Sequence, residues 1–157
     1  MAIEIERKFL IKAPPLERIT STSTITQGYL ARRPNPTVRV RVRDNKGFMT
    51  VKGQNTGARR SEFEWEIPLS DAQEMLEQFC ERCVHKRRHI VPAEQGLFWE
   101  IDEFLGESEG LWLAELELPD EQTEIPLPSW IDVEVTHDHR YSNSYLSSNP
   151  YSQWDQP

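Results

Sequence analysis

Polar and apolar residues alternate along most of this chain with a period of two, which marks strands with two unlike faces. In residues 2–10, Ile3, Ile5 and Phe9 share one face and Glu4, Glu6 and Lys8 the other. Residues 24–31 read as a second strand, with Gln27 and Tyr29 on one face and Gly28 marking a bulge or a close backbone approach. Residues 37–43, TVRVRVR, set Val38, Val40 and Val42 against Arg39, Arg41 and Arg43. Asp44-Asn45-Lys46-Gly47 predicts a hairpin loop with Gly47 available for positive φ. The return strand, 48–53, places Thr50 and Lys52 opposite Met49 and Val51. Residues 60–67 put Arg60, Glu62, Glu64 and Glu66 opposite Phe63, Trp65 and Ile67. Lys86 and Arg88 share a face in 83–91, Glu100 and Asp102 in 97–104, and Glu115 and Glu117 in 111–118. Residues 131–135 extend the sheet.

One stretch changes period. Ser70-Asp71-Ala72-Gln73 reads as a capping box, and the helix it opens runs to about Cys83. It is apolar at Ala72, Met75, Leu76, Phe79, Cys80 and Cys83, so it covers one side of a sheet. Residues 16–23 hold a short helical turn, 32–36 a turn, 54–58 a flexible loop, and 119–130 a proline-rich connection. A C-terminal helix is expected from about 136, with Tyr141, Tyr145 and Leu146 on one face, and a loose tail from about 147. Short strands and few helices predict a mainly β (α+β) fold, and eight antiparallel strands suffice to close a barrel. Residues 1–157 read as one domain.

Charge sharpens this picture. Charged residues make up 28% of the 157, yet the net charge is −8, which argues against a nucleic-acid backbone as the main partner. No apolar run reaches the ~18 residues of a membrane span, and MAIEIERKF has no signal-peptide core. Two cysteines three apart cannot staple a fold, so a cytoplasmic setting is expected.

Two carboxylates two positions apart on a strand sit roughly 6.6–7 Å from one another. At an effective dielectric of ~20 they repel by about 2 kcal/mol. A half-exposed sheet with a charged wet face is one reading of such a pattern. Wet faces usually mix Thr, Ser, Gln and Lys, however, whereas this chain repeats same-sign pairs and segregates them by strand. Its other faces are rich in Trp, Phe and Val and need cover of their own. The sharper reading turns the charged faces inward, around a wet tunnel that holds ions, since unpaired buried charges cost several kcal/mol each. The basic set, Lys8, Arg39, Arg41, Lys52, Lys86 and Arg88, joined by Arg60 and with Arg43 as a further candidate, suits phosphate groups. The acidic set, Glu4, Glu6, Glu62, Glu64, Glu100, Asp102, Glu115 and Glu117, suits Mg²⁺ or Mn²⁺. Together they imply metal-bound polyphosphate.

These residues resemble the signature of the CYTH superfamily, the triphosphate tunnel metalloenzymes. The opening E-x-E-x-K is Glu4, Glu6 and Lys8. QGYL, VRVR, the KG pair at Lys52 and Gly53, and R-x-E-x-E from Arg60 follow in the family's order. Lys86-x-Arg88, Glu100-x-Asp102, Glu115-x-Glu117 and EVTHDHRYSN complete the set, which spans nearly the whole chain. The resemblance implies an eight-stranded antiparallel tunnel for a linear triphosphate and two divalent ions. Carried over, Lys8, Arg39, Arg41, Lys52, Arg60, Lys86 and Arg88 bind phosphate, joined by Tyr29, which shares the inward phase of Gln27. Glu4, Glu6, Glu100, Asp102, Glu115 and Glu117 become metal ligands, and Glu4, Glu6, Lys8, Glu62 and Glu64 the catalytic group. A short form of this kind implies hydrolysis of inorganic tripolyphosphate. Adenylate cyclase and thiamine triphosphatase are alternatives, as is a polyphosphate or nucleotide binder without turnover. Cys80, Cys83, His85 and His89 have spacings reminiscent of zinc sites, but the cysteines also lie on an apolar stripe, where they serve as small hydrophobes. His137 and His139 flank Asp138 as a solvated helix start, and Arg140 either binds substrate or pairs with Asp138.

Overall fold

The computed structural model describes residues 3–31 and 36–154. The turn expected at 32–36 falls, apart from Pro36, outside the described residues. The described residues form nine strands: β1 (Ile3–Ile11), β2 (Ser21–Ala31), β3 (Thr37–Arg43), β4 (Lys46–Lys52), β5 (Arg59–Ile67), β6 (Val84–Pro92), β7 (Phe98–Phe104), β8 (Trp112–Glu117) and β9 (Ile131–Glu134). They run in the order β5-β4-β3-β2-β6-β7-β8-β1-β9, and β5 returns to pair with β1. Eight antiparallel strands therefore close a ring, as the alternation predicts. β8 takes one edge of β1 along Glu6–Leu10. The other edge is shared, with β5 pairing at Ile3–Ile5 and β9 at Phe9 and Ile11.

The outward faces are apolar and mostly covered, though Phe63 and Trp65 on β5 stay 51% and 49% exposed. Phe9, Trp99, Ile101, Ala114 and Leu116 are buried beneath residues 119–131, where Ile125 and Ile131 join the cluster. This segment forms no helix, yet it shields that side, and Trp130 meets Trp99 edge-on at 5.4 Å. The helix α1 (Leu69–Phe79) lays Ala72 and Leu76 on Val40, Val42 and Met49. A second helix, α2 (Asn143–Ser148), stoppers one end of the ring. Its Leu146 packs with Val84, Phe104, Leu111 and Leu113. Among the described residues no helix is long and apolar enough to cross a membrane.

Four local expectations change. The β3–β4 turn is tighter than foreseen, because β4 already begins at Lys46. Asp44 rather than Gly47 supplies the positive φ, at 52°, and its carboxylate accepts from the Thr24 amide. Gly47 is needed for space instead, since a Cβ there would lie 2.7 Å from Ala72. No capping box forms: Pro68 precedes α1 without a side-chain cap, and Ser70 and Asp71 lie inside the helix. The helix ends at Phe79, which is 63% exposed, because Cys80 turns extended to lead into β6. At the C-terminus the expected long helix is a 3-10 turn, His139–Tyr141, followed by α2 alone. The residues beyond it pack down: Trp154 contacts Tyr141, Tyr145 and Tyr151, and its Nε1 donates to the Asn149 carbonyl.

The close approach read at Gly28 is present. A Cβ on Gly28 would meet Cys80 Sγ at 2.6 Å and Leu76 at 3.1 Å. Gly28→Ala is therefore expected to destabilise the fold by roughly 1–3 kcal/mol in urea unfolding, as overpacking does. Adding Cys80→Ala should recover part of the loss.

Candidate active site

The ladder registers fix which side chains converge. Gln27 pairs with Arg41, Tyr29 with Arg39, Thr50 with Glu64, Lys52 with Glu62, Arg88 with Asp102, and Lys8 with Glu115. Residues paired across a ladder share a face, so the charged sets of all eight ring strands meet inside. They line a cavity of about 170 Å³ that Ser142, Asn143 and Ser144 help to close. Lys86 and Asp102 lie beneath its wall with no exposed side-chain surface, whereas Glu64 is 37% exposed at the mouth.

Most cations in this cavity have a carboxylate partner. Lys86 Nζ donates to Asp102 at 2.6 Å, and Arg88 holds the same carboxylate through Nε at 2.8 Å and Nη2 at 3.0 Å. Arg88 also reaches Glu100 at 3.2 Å. Lys52 bridges Glu4 and Glu62 at 3.1 and 3.2 Å, and Arg60 meets Glu4 at 3.3 Å. Arg39 shares Glu64 with the buried Thr50, whose hydroxyl donates to Glu64 at 2.7 Å. Lys8 stands 3.8 Å from Glu115 and donates to the Tyr141 carbonyl.

Two groups break the pattern. Arg41 is buried and forms no ion pair among the described residues; its one side-chain hydrogen bond runs from Nε to Gln27 Oε1 at 2.7 Å. Burial, with Arg39 and Arg88 close by, pushes its guanidinium down to about 9. Beside it, Nε of Arg39 is buried without a partner. On the acidic side, oxygens of Glu6, Glu100 and Glu115 lie within 4.8 Å of one another. Burial and the nearby Glu115 and Glu4 push the Glu6 carboxyl well above its usual range. Glu115 stays well below that range, because Lys8, Arg88 and Lys86 outweigh its burial. Burial, Arg88 and Arg41 together lower Lys86 to about 7 against the pull of Asp102. A cavity with a buried guanidinium free of carboxylates, an unpartnered Arg39 Nε and three crowded carboxylates, of which Glu6 has no ion pair among the described residues, fits an anion and a metal bound side by side.

Residues 2–144 match the CYTH domain. The chain belongs to the CYTH family. An inorganic triphosphatase of Acetivibrio thermocellus is 45% identical over 154 residues, spanning 98% of this chain and 99% of its own. One from Nitrosomonas europaea is 34% identical over 149 residues, spanning 92% and 96%. The crystal structure of the inorganic triphosphatase NE1496 superposes with a TM-score of 0.67 at 35% identity, covering 94% of this chain and 95% of that one. A putative adenylyl cyclase from Hippeastrum shares the fold at 15% identity, with a TM-score of 0.57 over 76% of this chain and 80% of that one.

The CYTH cavity gathers the expected residues unevenly. Glu6, Glu100 and Glu115 come together as a group that could hold a metal ion, with Glu117 beside them in the lining. Glu4 and Asp102 lie outside that group, in the shorter ion pairs with Lys52 at 3.1 Å and Lys86 at 2.6 Å. Tyr29 lines the cavity next to Arg39. Three side chains that hydrogen-bond the cavity's charged groups had no role assigned from the sequence: Gln27, Thr50 and Asn143. Gln27 and Thr50 were legible as sharing the faces of Tyr29 and Lys52. Asn143 carries no periodic signal, since a loop and a short helix deliver it. Elsewhere, His85 contacts Thr26, while His89 bridges Thr22 and Glu103 on the outer wall and stacks on Trp112. Cys80 and Cys83 are not joined in a disulfide. Arg140 pairs with Asp138 at 2.6 Å.

Proposed function

We propose that this CYTH protein hydrolyses inorganic triphosphate to pyrophosphate and phosphate in the cytoplasm, using two divalent cations, Mg²⁺ or Mn²⁺. The observation that carries the reading is Arg41, a buried cation with no carboxylate partner in a cavity that a polyanion would neutralise. Arg39, Arg88, Lys8, Lys52 and Arg60 extend that receptor along the lining, Lys86 backs it from beneath the wall, and Tyr29 offers a further hydroxyl. Glu6, Glu100, Glu115 and Glu117 would hold the metals, with Glu62 and Glu64 as ligands or water positioners. Bound there, divalent cations supply positive charge to the phosphate oxygens and acidify water.

The chain's own residues orient the phosphates and hold charge where the scissile P–O bond breaks. Arg39, with its unpartnered Nε, and Arg88, fixed by two bonds to Asp102, are preorganised donors for the oxygens that gain charge. Asp102 holds Lys86 and Arg88 in place. The anhydride oxygen leaves with the bond pair, and water supplies the new P–O bond.

The deciding assay compares phosphate release from tripolyphosphate, ATP and thiamine triphosphate, with Mg²⁺, Mn²⁺ or chelator. Tripolyphosphate is expected to be preferred, turnover to need metal, and Glu4→Ala to lose it. Cyclisation of ATP without tripolyphosphate cleavage would reassign the site. Tripolyphosphate in chelator should also raise the melting temperature. At 100 times Kd, binding adds about 2.7 kcal/mol, on the order of 5–10 °C for a domain of this size. No shift at millimolar ligand would leave only a charged scaffold.

A further inference from the structure

Two donors stand at the ends of a short side-chain chain in the cavity floor. Arg41 Nε carries a hydrogen and no lone pair, and Lys86 Nζ is held as a donor against Asp102 at 2.6 Å, so each faces an oxygen. Arg41 faces Gln27 Oε1 at 2.7 Å. That turns Gln27 Nε2 toward Asn143, which meets it with Oδ1 at 2.9 Å. The same Oδ1 accepts from Lys86 at 3.0 Å. The orientation of both amides is thus fixed from the two ends. Gln27 is fully buried, and both its polar atoms are used. Asn143 lines the cavity, and its Nδ2 has no partner among the described residues.

We propose that Gln27 and Asn143 are positioning residues that tie Arg41 to the buried Lys86–Asp102 pair and so hold it as the receptor for the innermost phosphate, with Asn143 Nδ2 as an added donor to it. The inference rests on the triphosphate reading above. A carboxylate at either position would also fix the chain but add negative charge beside Arg41, the cation that Asp102 does not already neutralise, as Glu4 does beside Lys52 and Arg60. An amide fixes direction and leaves the charge for the substrate. The pair also ties the chemistry to α2, since Asn143 is its first residue. The stopper is therefore part of the binding site as well as a lid on the apolar end.

The test uses the full chain and three substitutions, Asn143→Ala, Asn143→Asp and Gln27→Glu. Affinity for tripolyphosphate is measured by calorimetry in chelator, and KM and kcat with metal. Asn143→Ala is expected to raise Kd and KM about tenfold while kcat falls less than threefold, at an unchanged melting temperature. Asn143→Asp and Gln27→Glu keep an acceptor in place, so they should fold normally. Both should weaken binding at least as much as Asn143→Ala, because they add charge. If Asn143→Ala stays within twofold of the parent, the positioning role is overturned. If Asn143→Asp restores parental affinity, the neutral bridge is overturned. If the parent itself neither binds nor cleaves tripolyphosphate, it is the proposed function that fails, and the variants are not needed to see it.

Discussion

Arg41→Met is expected to weaken tripolyphosphate binding and kcat/KM by 100-fold or more while melting within a few degrees of the parent. The two effects share one cause. Arg41 is buried between Arg39 and Arg88 with no carboxylate against it, so the empty fold bears the cost of an uncompensated charge. Methionine fills a similar volume without that charge, which is a gain. Against this stands Gln27 Oε1, which loses its donor at a cost of about 1–3 kcal/mol. The terms nearly cancel in the free protein. They do not cancel with substrate, where a charge-assisted contact disappears. Calorimetry and a melting curve check both halves. Parental affinity, or a fall beyond 10 °C, would show that Arg41 serves the fold and not the anion.

The second large effect separates two acids that look alike in the sequence. Asp102→Asn should destabilise the protein by about 3–5 kcal/mol, as breaking a buried ion pair does. It leaves Lys86 and Arg88 buried without their shared carboxylate. Glu6→Gln should abolish metal-dependent turnover and leave stability unchanged or higher, since Glu6 has Glu115 and Glu4 for neighbours and makes no ion pair among the described residues. Burial works against the Asp102 charge, but Arg88 and Lys86 prevail and hold its pKa below 3.8. A lowered carboxylate contributes stability above its unfolded pKa and loses it as pH falls toward the folded one. The gap between parent and Asp102→Asn is thus full at neutral pH and closes below about pH 4. Urea unfolding at pH 7 and pH 3 measures it; an equal gap at both would rule out the ionic origin.

Strict alternation made the inward sets of β1, β3, β5, β7 and β8 readable, because a period of two admits only two faces. Partnership was not readable. Whether Asp102 faces a metal or a lysine depends on the offset between β6 and β7, and single-strand patterns carry no offset. The helix end at Phe79 escaped for a similar reason: the apolar stripe continues through Cys83, but pairing of Val84 with Gln27 pulls the backbone straight after Cys80. Asn143 depends on where a 3-10 turn delivers a short helix, which no local rule specifies.

The ring is sealed by β1, the first strand in the chain, against β8, more than 100 residues later. On the ribosome the early strands must wait as an open sheet for a late partner, and such long-range pairing is slow. Through that wait one side of the sheet is covered with glutamate, arginine and lysine, which stay hydrated and discourage sticking to other nascent chains. The lining that serves the finished enzyme also keeps the unfinished one in solution.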